Sequence, residues 1–139
     1  MGRRVPRVWS TAGRVDPLTG LASLDQLRAA LGKALHDGEG LPLAVVVAEL
    51  PGRPFEHPVE LARRLTLAAS MARGAFGTAL VVGRLGVRRV GVLNGHDPDL
   101  PARAALLARM VHDLPGTVRV EPLGGSPEGA DWLLRQLSD

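Results

Sequence analysis

The chain has 139 residues, of which 45% are apolar and 22% charged, a balance typical of one ordinary globular domain. It contains no cysteine, which excludes disulfide bonds and thiolate metal sites. The sequence pI of about 10.9 invites a nucleic-acid partner. We discount it, because the formal net charge is only +3, with 17 basic residues opposed by 14 carboxylates.

The N-terminal arm, residues 1–15, is basic. It carries four arginines: Arg3, Arg4, Arg7 and Arg14. Such a run is most simply a solvated tail. Nucleic-acid binding through this arm is the less favoured alternative, because the chain has no tyrosine and only two Phe and two Trp residues for base stacking.

The chain shows no sign of a membrane or secretory segment. Its longest apolar run, Leu41 to Leu50, is far shorter than the roughly 20 residues that span a bilayer. The basic start is not followed by an apolar stretch of the kind found in signal peptides. We therefore expect a cytoplasmic protein with no membrane partner.

The first half of the chain predicts a helix, a strand and a second helix. Ser23 and Gln26 have the spacing of a capping box, and leucines at helical spacing follow until Gly38-Glu39-Gly40. Leu43 to Leu50 is almost continuously apolar, as in a central strand covered on at least one face. The proline-rich stretch Pro51 to Pro58 predicts a loop, and a helix is expected over about 59–73, ended by Gly74.

The second half predicts a hairpin, a helix, a strand and a closing helix. Strands at Thr78–Gly83 and Arg89–Asn94 flank Leu85-Gly86-Val87, with the glycine at the tight position of the turn. Asp99 is expected to cap the third helix, which ends at Pro115-Gly116. A last strand follows at Thr117–Glu121, and Ser126-Pro127 opens a helix. Trp132 on that helix is expected in the core, or in a dimer seam if its face is exposed.

The fold class follows from the element order. Without the first and last helices, the order is βαββαβ, the ferredoxin-like unit of an α/β (α+β) domain. Right-handed crossovers place the first and third strands in the middle of an antiparallel sheet, with the two inner helices on one face. The end of the first strand should therefore meet the hairpin.

Two stretches resemble the GGDEF domains of the diguanylate cyclase family. Asp16-Pro17-Leu18-Thr19-Gly20-Leu21 resembles the family's D-x-L-T-G-L opening, although the same residues could form only a turn. Gly83 to Val90 falls where the family's name motif belongs. The resemblance spans residues 15–139 and implies one GGDEF-like domain at 16–139, with the palm-like fold of nucleotidyl cyclases.

The resemblance also implies that the chemistry is lost. Against the family's R-Y-G-G-D-E-F the chain has Arg84-Leu85-Gly86-Val87-Arg88-Arg89-Val90, so two arginines replace the acidic pair. Where the family has two aspartates at the end of the first strand, this chain has only Glu49. Cyclisation with two metal ions needs several carboxylates there.

We therefore expect no catalytic residue, no metal site and no cofactor. The vestigial signature positions are Asp16, Leu18, Thr19, Gly20, Leu21, Glu49, Arg84, Gly86, Val87, Arg88 and Arg89. The leading hypothesis is an inactive regulatory or protein-interaction module in signalling, with a protein partner or a second copy of the chain. The alternative is non-catalytic binding of a guanine nucleotide or cyclic diguanylate through Arg84, Arg88 and Arg89. The plainest account of Arg88 and Arg89 is a solvated hairpin tip.

Overall fold

The computed structural model describes residues 15–37, 42–77, 79–123 and 126–138. Residues 1–14, which include the arginine-rich arm, lie outside the described residues. The described part is an α+β fold of four helices and one four-stranded antiparallel sheet. The elements in chain order are α1 (Leu24–Asp37), β1 (Ala44–Glu49), α2 (Pro58–Ala75), β2 (Val81–Gly86), β3 (Arg89–Asn94), α3 (Leu100–Val111), β4 (Thr117–Pro122) and α4 (Pro127–Leu137).

The sheet has the strand order β2-β3-β1-β4, which confirms the predicted βαββαβ core with its first and third strands in the middle. β1 pairs antiparallel with β3 on one side, where Val46 faces Val92, and with β4 on the other side. No helix among the described residues is long and apolar enough to cross a membrane.

Helices cover the sheet on both faces. α2 and α3 pack on one face, as predicted, against a cluster that includes Val46 and Ala48. α1 and α4 cover the other face, against a cluster that includes Val45 and Val47. Because alternate side chains of a strand point to opposite faces, a strand buried on both sides is apolar at nearly every position. That explains the unbroken apolar run in β1.

Two of the predicted helix starts have the expected side-chain caps. The Ser23 hydroxyl accepts a hydrogen bond from the Gln26 amide, and the Gln26 side chain accepts one from the Ser23 amide, as a capping box requires. At α4 the Ser126 hydroxyl accepts from the Gly129 amide. Asp99 does precede α3, but its side chain makes no capping hydrogen bond, so the expected cap is absent there.

The predicted hairpin is confirmed, with its second strand β3 at the predicted bounds, but the bounds of its first strand and the position of its turn were wrong. β2 extends from Val81 to Gly86, so the strand lies three residues later than expected. Gly86 pairs with Arg89 inside the ladder, and the connecting turn consists of Val87 and Arg88. An irregularity between Arg84 and Gly86 shifts the register by one residue, which a count of the sequence cannot reveal.

Two helix predictions also need correction. α2 continues past Gly74 to Ala75, because a glycine only weakens a helix whose inner face is held by packing. Trp132 is exposed, whereas Leu134 and Leu137 on the same helix are buried as expected. The narrow apolar stripe of α4 is filled by these leucines, and the tryptophan lies beyond its edge.

Candidate functional site

The hairpin tip lies against the end of β1. Glu49, the last residue of β1, pairs with Arg89, the first residue of β3. The amide of Leu50 then donates a 2.9 Å hydrogen bond to the carbonyl of Arg88. The topology thus brings together the two places where the family resemblance would require metal ligands.

Glu49, an acidic side chain at this place, lies between two arginines and is partly exposed. Nε of Arg89 lies 3.5 Å from Oε1 of Glu49, and Nη1 of Arg119 lies 3.9 Å from the same oxygen. Nη1 of Arg89 also donates to the carbonyl of Leu137, which ties the guanidinium to the C-terminal end of α4. Glu49 is therefore engaged by arginine on both neighbouring strands.

Arg88 differs from Arg89 in having no charged partner. Its side chain makes no hydrogen bond or ion pair within the described part of the chain, and the residue is exposed. Its guanidinium lies flat on the loop after β1: a Cβ added at Gly52 would stand 2.9 Å from both Nε and Nη2. Together with Glu49, Val87 and Arg89 it lines a small cavity of about 180 Å³.

Arg84 is used in a different way. Its Nη1 lies 3.1 Å from Oδ2 of Asp16, and its Nη2 and Nε donate to the carbonyls of Val87 and Gly86. The Arg84 side chain is largely shielded from solvent. These contacts join the D-P-L-T-G-L loop to the hairpin. They also engage the Arg84 guanidinium within the chain, although the sequence analysis considered it as a ligand contact.

The D-P-L-T-G-L loop is built around the Asp16 carboxylate. Oδ2 of Asp16 accepts hydrogen bonds from both the amide and the hydroxyl of Thr19. Gly20 has φ +72°, a left-handed conformation that suits glycine, and Leu21 is buried. Burial of Asp16 alone would raise its pKa, but the hydrogen bonds from Thr19 and the Arg84 guanidinium outweigh burial and lower the pKa from its ordinary value.

Sequence reasoning missed a buried ion pair below the loop that follows β1. Nη1 of Arg64 lies 2.9 Å from Oε2 of Glu56, and both side chains are almost inaccessible. Arg64 also donates weakly to the carbonyls of Pro51 and Leu114. A signal was present, because Arg64 falls on the inner face of α2 beside Leu65.

The structure also shows an apolar groove that the sequence did not predict. It runs along the outer face of α2, is bordered by Leu18 from the loop before α1, and has a volume of about 610 Å³. The lining residues are Leu18, Val59, Ala62, Arg63, Thr66, Leu67 and Ser70. Three of these, Leu18, Val59 and Leu67, are large apolar side chains with about half of their surface exposed.

Phe55 is the second unexpected feature. It stands in the loop after β1 with φ +59°, and its side chain is fully exposed. A left-handed backbone conformation is strained for a bulky residue. The sequence gives no signal for this conformation, since nothing local in Pro54-Phe55-Glu56 requires it.

Among the residues that the structure describes, no group of three His, Cys, Asp or Glu side chains is placed to hold a metal ion.

Comparison of the chain with protein-family models, with curated proteins and with solved structures finds no match.

Proposed function

We propose that this chain is a GGDEF-like domain without cyclase chemistry, which acts as a regulatory module through protein contacts. The observation that carries the proposal is the pairing of Glu49 with Arg89 at the end of β1. The βαββαβ core and the Asp16–Leu21 loop tied to the hairpin by Arg84 support the likeness to that family.

The electrostatics explain why catalysis is not expected. Two unit charges about 4 Å apart interact by roughly 1–4 kcal/mol between the dielectrics of water and of a protein surface. A divalent cation beside Glu49 would meet two guanidinium groups at such distances, and it would find one carboxylate where two-metal chemistry needs several. Repulsion and missing ligands act in the same direction.

The test is an assay for cyclic diguanylate. The purified chain is incubated with GTP and either Mg²⁺ or Mn²⁺, and the products are separated by chromatography, with an active diguanylate cyclase as the positive control. We expect GTP to remain unchanged. Turnover to cyclic diguanylate that follows the protein through purification would disprove the proposal.

A second candidate function is metal-free binding of a nucleotide phosphate, and the unpaired guanidinium of Arg88 favours it. Arginine is well suited to phosphate because its planar fork donates two parallel hydrogen bonds. Arg84 and Arg89 contribute less to such a site, since each already has a carboxylate partner.

Calorimetric titration with GTP and with cyclic diguanylate tests this candidate. Binding that is lost in Arg88→Ala but kept in Arg109→Ala would support it, because Arg109 is another exposed arginine with no partner in the described part of the chain. Absence of heat and of a thermal shift at millimolar ligand would rule it out.

A further inference from the structure

The apolar groove on α2 begins close in the chain to the exposed ring of Phe55. Val59, which lines the groove, is in the first turn of α2, and Phe55 precedes it by four residues. Phe55 itself is not part of the groove lining. The start of α2 therefore carries a fully exposed aromatic ring near an apolar groove, and exposed apolar surface of this kind marks an interaction site.

The projection of Phe55 is held in place by the structure below it. The neighbouring Glu56 is fixed by the buried ion pair with Arg64, and its amide donates to the carbonyl of Arg53. These contacts hold the loop while Phe55 adopts φ +59°. Backbone strain is commonly retained where it serves a function. Because the strain at Phe55 exposes an apolar ring, we infer that the ring is covered in the functional complex.

The charges on the same helix turn are self-complementary. Glu60 and Arg63 form an exposed ion pair on α2, with 2.8 Å between Oε1 and Nη2. If two α2 helices meet antiparallel about a twofold axis, Glu60 of each copy can face Arg63 of the other. Phe55 lies five residues before Glu60, and Leu67 lies four residues after Arg63. When Glu60 of one antiparallel helix faces Arg63 of the other, Phe55 of the first copy therefore lies beside Leu67 of the second.

We propose that two copies of this chain associate about a twofold axis beside the N-terminal half of α2, so that Phe55 of each copy enters the Leu18–Leu67 groove of the other. The contact is isologous, which gives a closed dimer and no filament. An aromatic ring inserted in an apolar groove is typical of the residues that dominate interface energies. The dimer names the partner and the contact surface of the proposed module, so this inference rests on the proposed function.

The first test measures the mass of the full chain by sedimentation velocity over a range of concentrations. The wild type is expected to dimerise, and both Phe55→Asn and Leu67→Glu are expected to raise the dissociation constant by at least about tenfold. Asn tolerates the left-handed backbone, so the first variant should fold at least as well as the wild type. Leu106→Glu is the matched control, because Leu106 is an exposed leucine on α3.

The second test uses the charges. Glu60→Arg and Arg63→Glu each place like charges in both symmetric contacts and should be monomeric. When the two variants are mixed, every contact between copies pairs unlike charges again, and a heterodimer should form. The ion pair within each helix stays broken in the mixture, so recovery of dimer reports the contact between copies.

Several results would overturn the inference. The first is a chain that stays monomeric at all concentrations up to about 1 mM. The second is a dimer that neither Phe55→Asn nor Leu67→Glu weakens. The third is dimerisation only after residues 1–14 are removed, which would show that these residues occupy the groove of the same chain. Its failure is distinct from failure of the proposed function. An inert monomer would contradict only the dimer, whereas a dimer that makes cyclic diguanylate would contradict only the loss of chemistry.

Discussion

Asp16 and Arg84, which are 68 residues apart in the chain, form an ion pair with 3.1 Å between Oδ2 and Nη1. The pair joins the two stretches whose sequences resemble motifs of GGDEF domains, namely the loop at Asp16–Leu21 and the hairpin. Next to it the amide of Arg84 donates to the carbonyl of Ala22, which forms a parallel bridge to Gly83. The loop is thus fastened to the edge of the sheet beside β2.

Replacing Asp16 should make stability less dependent on pH. The pKa of Asp16 is lowered in the folded chain, since hydrogen bonds from Thr19 and Arg84 outweigh burial, so its contribution is present above the unfolded pKa and is lost as the pH falls through the folded value. We expect Asp16→Asn to lower the free energy of unfolding by about 1–2 kcal/mol at neutral pH. Urea unfolding should show this difference shrinking below about pH 4.

The control for this prediction is Asp113→Asn. Asp113 is exposed and makes no ion pair with any described residue, so the substitution should leave the unfolding midpoint unchanged. If Asp16→Asn were as stable as the wild type at neutral pH, the loop would not depend on its carboxylate.

Two glycines should respond oppositely to alanine. At Gly83 an added Cβ would lie 2.7 Å from the carbonyl oxygen of Ala22 and 3.0 Å from its Cβ, so the loop must move away from β2. We expect Gly83→Ala to cost about 2–3 kcal/mol. At Gly32 in α1 no described atom outside the helix lies within 4 Å of an added Cβ, and Gly32→Ala should stabilise the chain by about 0.5–1 kcal/mol. Thermal unfolding of both variants distinguishes these effects, and equal shifts would contradict the close approach.

The buried pair below the β1–α2 loop should be sensitive to loss of one partner. Glu56→Ala leaves the Arg64 guanidinium buried without its carboxylate, which typically costs about 3–5 kcal/mol. Replacing both partners, as in Glu56→Gln with Arg64→Met, should restore most of this stability because the stranded charge is removed.

Chemical denaturation measures this effect, with Asp25→Ala as the comparison. Asp25 is paired with Arg28 at the surface of α1, and losing such an exposed pair should change stability by less than about 1 kcal/mol. Similar losses for Glu56→Ala and Asp25→Ala would mean that the Glu56 pair is not buried in solution.

The sequence predicted the core of the fold because its signals are local. The apolar run of β1, the capping box at Ser23 and the start of α4 at Ser126 each depend on a few neighbouring residues, and all three are found. The element order then fixed the sheet topology through the handedness of the crossovers. The hairpin register was missed, because an irregularity inside β2 has no local sequence signal.

The candidate site was predictable only in its outline. Topology brought Glu49 and the arginines together, but the separate roles of Arg84, Arg88 and Arg89 depend on the turn register and on distant partners such as Asp16 and Leu137. Phe55 and the α2 groove were missed for a related reason. Which face of a helix remains uncovered is decided by the packing of the other elements.

The most direct test of the central claim is a titration with Mn²⁺ in the presence of GTP. Binding of Mn²⁺ at the end of β1 would be detected as paramagnetic broadening of nearby backbone amide signals in NMR spectra. We expect no selective broadening at Glu49, Leu50 or Arg89 at millimolar Mn²⁺, because Arg89 and Arg119 engage the Glu49 carboxylate there. Selective loss of these signals at low Mn²⁺, reversed by a chelator, would show that the site still holds a divalent cation and would contradict the account.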